Sequence, residues 1–145
     1  MRFHSLSPLR EIVPIPLFNA TIPAGFPSPA ADYVDRPIDL NELCIAHPAA
    51  TYFVRVTGNS MIGAGIFDGS LLVVDRSISP SHGDIIIASV AGEFTVKRLC
   101  LRPVVQLEAM NPDYPPIVLH DGGDDLETFG VVRFVINEAS GVCPG

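Results

Sequence analysis

"DIIIASVAGEFTVKRL", residues Asp84 to Leu99, holds two β-prone runs around one turn signal. Isoleucine, valine, threonine and phenylalanine dominate both runs, and such side chains fit a pleated, packed surface. Between the runs stands Ala91-Gly92, a two-residue connection with glycine in second place, the mark of a tight hairpin. The same composition recurs on either side. Upstream lie "TYFVRV" from Thr51 and "SLLVVD" after the Asp68-Gly69 turn. Downstream lie "VVQLE", "PIVL" and "FGVVRFVI", the last ending at Ile136. Many short strands separated by turn signals predict a mostly β chain, an antiparallel, barrel-like sheet.

The N-terminal part is different. Residues 1–38 contain Pro8, Pro14, Pro16, Pro23, Pro27, Pro29 and Pro37. Each proline removes a backbone donor and keeps its predecessor extended. This predicts an extended arm with short edge-strand pieces. In its middle, "TIPAGFPSP" places Gly25 between two prolines, a pliable segment of the kind proteases reach. Asp39 then fits a helix N-cap, with Glu42 as capping-box partner and Ile38 and Leu43 placed for a hydrophobic staple. His47-Pro48 should end that helix. Two parts are therefore expected: the arm, 1–38, and a folded domain with short helices, 39–145.

Composition narrows the function. The chain has 145 residues, 48% of them hydrophobic and 17% charged, enough for one domain with a core. Its apolar runs are far too short to span a bilayer, and the N-terminus lacks the apolar stretch of a secretory signal, so the expected location is the cytoplasm. The net charge of −7 repels a phosphate backbone, and no helix-turn-helix or zinc-finger pattern occurs. Direct sequence-specific DNA binding is not expected. Cys44, Cys100 and Cys143 form no CxxC pair, which argues against a zinc site or a disulfide framework. Asp121, Asp124, Asp125 and Glu127 read as a solvated loop. No glycine loop for phosphates is present, and neither a metal nor a cofactor is expected.

Chemistry concentrates in "VTGNSMIGAG", Val56–Gly65. Ser60 sits in a glycine-flanked turn that runs straight into Met61 and Ile62. It is either a turn serine or a nucleophile displayed at the edge of a core. A nucleophile elbow would place glycine two residues later, where this chain has Ile62. Backbone N–H groups of Asn59, Ser60 and Met61, in a turn opening a short helix, are candidates for an oxyanion hole. A serine nucleophile needs a base. His4, His47, His82 and His120 announce no triad. Lys97 is the stronger candidate, because strand alternation puts it on one face with Thr95 and Leu99. If that face is buried, desolvation lowers the lysine pKa and a neutral amine can take the serine proton. The alternative is a strand lysine whose stem carries its charge to water.

The segments "LREIVPIPLF", "AGFPSPAADYV", "IDLNELCIAHPAATYFVRVTGNSM", "HGDIIIA", "GEFTVKRL" and "RPVVQL" together resemble the LexA/UmuD family of self-cleaving serine peptidases. "FPSPAADY" points to the UmuD branch, the SOS mutagenesis proteins. The likeness runs from about Leu9 to Val135. It implies that Ser60 is the nucleophile, Lys97 the general base, and Ala24-Gly25 the scissile bond. Two positions depart from the UmuD pattern: Ala24, where cysteine is usual in UmuD and alanine in LexA-type proteins, and Asn59, where aspartate is frequent. The resemblance further implies a homodimer, cleavage on meeting a RecA nucleoprotein filament, and a shortened product that joins a UmuC-type polymerase for translesion synthesis in the SOS response to DNA damage. Two rival readings stand beside it. One is a protease resembling signal peptidases, acting on other proteins. The other is a non-cleaving dimeric interaction module regulating a DNA polymerase.

Overall fold

The computed structural model describes residues 12–18, 22–25, 34–120 and 126–139. The chain divides into two compact units, residues 1–46 and 47–145. In the first, strand β1 (Ile15–Phe18) pairs antiparallel with β2 (Val34–Ile38). The register slips between Ile15 and Leu17, at Pro16, which has no N–H to give the ladder. Between the two strands, Ala24 and Gly25 form an exposed bend. Helix α1 (Leu40–Cys44) starts at Asp39, whose carboxylate accepts the Asn41 N–H at 2.9 Å. The helix stops at Cys44, before the expected break at His47-Pro48. None of its residues is buried, and a helix this short has little to hold it without an apolar face to pack. Leu43, the expected staple residue, is 53% exposed.

The second unit is mostly β, with two single turns of 3-10 helix, Pro48–Ala50 and Ile62–Ala64, among its described residues. Its strands are β3 (Thr51–Arg55), β4 (Leu71–Asp75), β5 (Ile85–Val90), β6 (Glu93–Cys100), β7 (Gln106–Glu108), β8 (Ile117–Val118) and β9 (Leu126–Ile136). They form one antiparallel sheet in the order β3-β4-β9-β5-β6-β7-β8. The sheet is open, with β3 and β8 as its edges, where a barrel-like closure was expected. Strand β8 has only two residues, both exposed, and offers too little ladder to close against.

The β5–β6 hairpin forms as its sequence predicts, with Val90 opposite Glu93. Ala91 has φ 50° and Gly92 φ 83°, the left-handed pair that a two-residue hairpin loop needs. The isoleucine run of β5 has no polar alternation because the sheet is covered on both faces. Ile87 packs with Tyr52, Met61, Ile66, Leu72 and Val74. Ile86 and Ala88 point the other way, to Leu99, Leu107, Leu119 and Val131. The longest strand, β9, lies between β4 and β5, and its register slips against both. At the slip against β5, the Phe129 carbonyl accepts the Tyr52 hydroxyl at 2.7 Å. Gly130 follows, and a Cβ there would stand 2.5 Å from Val74 Cγ1. Bulge, tyrosine bond and glycine thus coincide at one point of this strand.

Candidate active site

Residues 56–70 leave the end of β3 and return to the start of β4. The loop is closed at its base by Val56 N–H to the Ser70 carbonyl, 2.9 Å, and by Gly69 N–H to the Val56 carbonyl, 2.7 Å. Higher up, Asp68 Oδ1 accepts the Gly58 N–H at 2.9 Å. Met61 is 2% exposed and sits in the core beside Ile66 and Leu72, whereas its neighbour Ser60 is half-buried. The serine-methionine pair thus has a physical division of labour. Methionine anchors the turn by apolar burial, and serine is held at the rim of what it anchors. A single turn of 3-10 helix follows, Ile62–Ala64.

Lys97 comes from β6, opposite Ile86 of β5. Its Nζ lies 3.1 Å from Ser60 Oγ, 2.9 Å from Thr95 Oγ1 and 3.1 Å from the Val96 carbonyl oxygen. Burial of the ammonium pushes the Lys97 pKa below the ordinary lysine value. The three contacts match the three hydrogens of the charged form. In the neutral amine, Thr95 and Val96 still take two N–H groups, and the lone pair is left facing Ser60. Ser60 and Lys97 both line an open cleft of about 250 Å³, with Val54, Met61, Phe94 and Val96 among its walls. Among the described residues, no acceptor takes the N–H of Asn59, Ser60 or Met61.

The histidines go elsewhere. His82 Nδ1 accepts the Leu101 N–H at 2.9 Å. His47 Nδ1 stands 2.6 Å from Asp75 Oδ2. Burial alone would raise the Asp75 carboxyl, but hydrogen bonds from Ser77 and His47 outweigh it and hold the pKa low. Neither histidine lines the cleft, nor does His120. His4, Cys143 and Asp121, Asp124 and Asp125 lie outside the described residues. No metal-holding cluster occurs among the described residues, and no helix there is long and apolar enough to cross a membrane.

Sequence reasoning missed the segment that clamps the serine loop from behind. The Met110 carbonyl accepts the Gly63 N–H at 2.7 Å, and the Met110 N–H points to Met61 Sδ at 3.4 Å. Asn111 Nδ2 donates to the Asn59 carbonyl at 2.9 Å. The Tyr114 hydroxyl donates to Asn59 Oδ1 at 2.7 Å. The sequence offers only "MNPDY", a polar turn that interrupts the strand pattern, and the burial of its asparagine emerges in the structure.

Fold and site together define a class: a mostly β protein with a serine hydroxyl and a half-buried lysine amine in contact inside an open cleft. A family model described as Peptidase S24-like matches residues 16–133, and the chain belongs to that family of self-cleaving serine peptidases. The chain is 50% identical over 123 residues to Protein SamA of Salmonella typhimurium, covering 85% of each chain. It is 49% identical over 124 residues to Protein MucA of Escherichia coli, covering 86% of this chain and 85% of that one. To the LexA repressor of Cupriavidus metallidurans it is 35% identical over 119 residues, 81% of this chain and 54% of the repressor.

Proposed function

We propose that this protein cuts its own chain between Ala24 and Gly25, with Ser60 as nucleophile and Lys97 as general base. The observation that carries the reading is the 3.1 Å contact between Lys97 Nζ and Ser60 Oγ inside the cleft. Neutral Lys97 takes the hydroxyl proton as Ser60 Oγ attacks the Ala24 carbonyl. The N–H groups of Asn59, Ser60 and Met61 are the candidate donors to the oxyanion that forms. Collapse breaks the Ala24–Gly25 bond, and Lys97 returns its proton to the leaving amine of Gly25. Water then attacks the Ala24 acyl group on Ser60, with Lys97 again taking the proton, and the serine is restored. The attack is intramolecular, so a modest nucleophile suffices.

The family and the relatives support a place in SOS mutagenesis. On this reading, a RecA filament on single-stranded DNA stimulates the cut by favouring the docked arm. The shortened product then serves a UmuC-type translesion polymerase as a homodimeric accessory subunit. Purified protein, incubated and weighed by mass spectrometry, should yield a fragment that begins at Gly25. Ser60→Ala and Lys97→Ala should each reduce its rate of appearance by at least about a hundredfold while leaving the fold intact. A fragment produced by either variant at near wild-type rate would overturn the assignment. Wild-type protein that stays whole even with a RecA filament would favour an interaction module instead.

A further inference from the structure

Asn111 does not line the cleft, yet it is bonded to the residue before the nucleophile. It is 7% exposed, and its two amide atoms have separate tasks. Oδ1 accepts the Asp113 N–H at 3.0 Å and shapes the turn after it. Nδ2 donates to the Asn59 carbonyl at 2.9 Å. That carbonyl shares a peptide plane with the Ser60 N–H. In a trans peptide the C=O and N–H of one plane point in opposite directions. Holding the Asn59 oxygen toward Asn111 therefore holds the Ser60 N–H pointing away from Asn111, and of these two residues Ser60 lines the cleft while Asn111 does not.

From this we infer that Asn111 is a positioning residue for the oxyanion hole: by fixing the Asn59–Ser60 peptide plane, it keeps the Ser60 N–H aimed at the developing oxyanion. Without that bond the peptide plane is free to rock, and a donor that must be reoriented during the reaction loses most of its value. Tyr114 holds the Asn59 side chain, whereas Asn111 bonds the carbonyl of this plane directly. The inference rests on the proposed Ser60 chemistry and adds a residue that touches no reacting atom.

The variants separate the two amide tasks. Asn111→Asp keeps an acceptor for the Asp113 N–H and loses the donor. Asn111→Ser keeps an acceptor for that turn without adding charge, and its hydroxyl stops one bond short of the position from which Nδ2 donates to Asn59. Asn111→Gln keeps a donor on a longer arm. Self-cleavage is followed in the full chain across pH, with thermal unfolding as the check on folding. The rate at the alkaline plateau should fall by about a hundredfold in the Asp and Ser variants, the loss seen when one oxyanion donor is removed. The pH midpoint of the Ser variant should stay at the wild-type value, since Lys97 is untouched. Asn111→Gln should recover to within about tenfold of wild type. If the Asp variant unfolds, the Ser variant carries the test. A folded Ser variant that cleaves within about twofold of wild type would overturn the inference and leave the Ser60–Lys97 proposal standing. Absence of cleavage in the wild-type chain would remove both.

Discussion

Lys97 shows how one side chain can be readied by its neighbours. Its folded pKa is lowered by burial, so the neutral form is reached at a lower pH than in an unfolded chain. Below that folded pKa the amine is protonated and has no lone pair. The self-cleavage rate should therefore climb with pH, through a midpoint below the ordinary lysine value of about 10.4, and then level off. A histidine base would pass its midpoint at about 6.5 and level off by about pH 7.5. Rates of Gly25-fragment appearance from about pH 6 to about pH 11 distinguish the two. Thr95→Val sharpens the test. Thr95 Oγ1 accepts from the ammonium at 2.9 Å, so its loss removes support for the charged form. The midpoint should move to lower pH, while the plateau rate falls because the lone pair is less well aimed. An upward shift would contradict this account of Thr95. The lysine and serine were legible in the sequence as residue types in a suggestive setting. Their pairing was expected from the family resemblance and not from the residue pattern alone, because contact between residues so far apart in the chain depends on how β6 and the serine loop come together. Strand alternation did place Thr95 beside Lys97, but it gave no hint that the Val96 carbonyl would take a second proton of the amine.

Among the elements, the loop around Met110 and the serine loop meet through backbone at close range. A Cβ on Gly63 would stand 2.6 Å from the Met110 carbonyl oxygen, nearer than real contacts allow. That oxygen belongs to the main chain and cannot swing aside as a flexible side-chain end would. Gly63→Ala should therefore push the two loops apart, costing on the order of 1–3 kcal/mol in urea unfolding and slowing cleavage. A variant as stable and as fast as wild type would show that the loops have slack. The strands themselves were readable because period, β-branching and turn residues all agree, most clearly at Ala91-Gly92. The open edge was not readable. Closure depends on whether the outermost strands are long enough to meet, and "PIVL" gives no sign that only Ile117 and Val118 enter the ladder. The Met110–Tyr114 turn was equally hidden, because its role comes from the loop it touches and not from its own pattern.

At the scale of the whole molecule, both apolar clusters lie within the second unit, as do Ser60, Lys97 and their supports. Among its described residues, the first unit offers a two-stranded ladder and one short helix with no buried residue. A chain of residues 47–145 should then fold alone, with a cooperative transition and a midpoint within about 5 °C of the full chain, a shift corresponding to about 1 kcal/mol. Loss of cooperativity in that fragment would mean that the N-terminal unit contributes to the core. The prolines of the first 38 residues predict extended backbone there, and the described pieces Ile15–Phe18 and Val34–Ile38 are strands. The prolines did not foretell where compactness begins, because α1 has the capping signal of a domain helix and none of the burial.

The β1–β2 ladder gives the proposed cut a direction in time. The bond between Ala24 and Gly25 lies in the chain that links these two strands. While the link is whole, β1 is leashed to β2 and re-forms its ladder whenever it frays. Once severed, the strand must find its partner again as a free peptide, and the leash that kept its local concentration at roughly millimolar is gone. A lone pair of strands is marginal in water even when joined. The piece carrying residues 1–24 should drift off, leaving the β2 edge bare and the two new ends too far apart for resealing. A synthetic peptide of residues 1–24 should then fail to rebind the shortened protein at micromolar concentrations in calorimetry, and tight rebinding would count against this one-way step. Hydrolysis in this chain would work as a ratchet: the break costs little to make, and dilution prevents its repair.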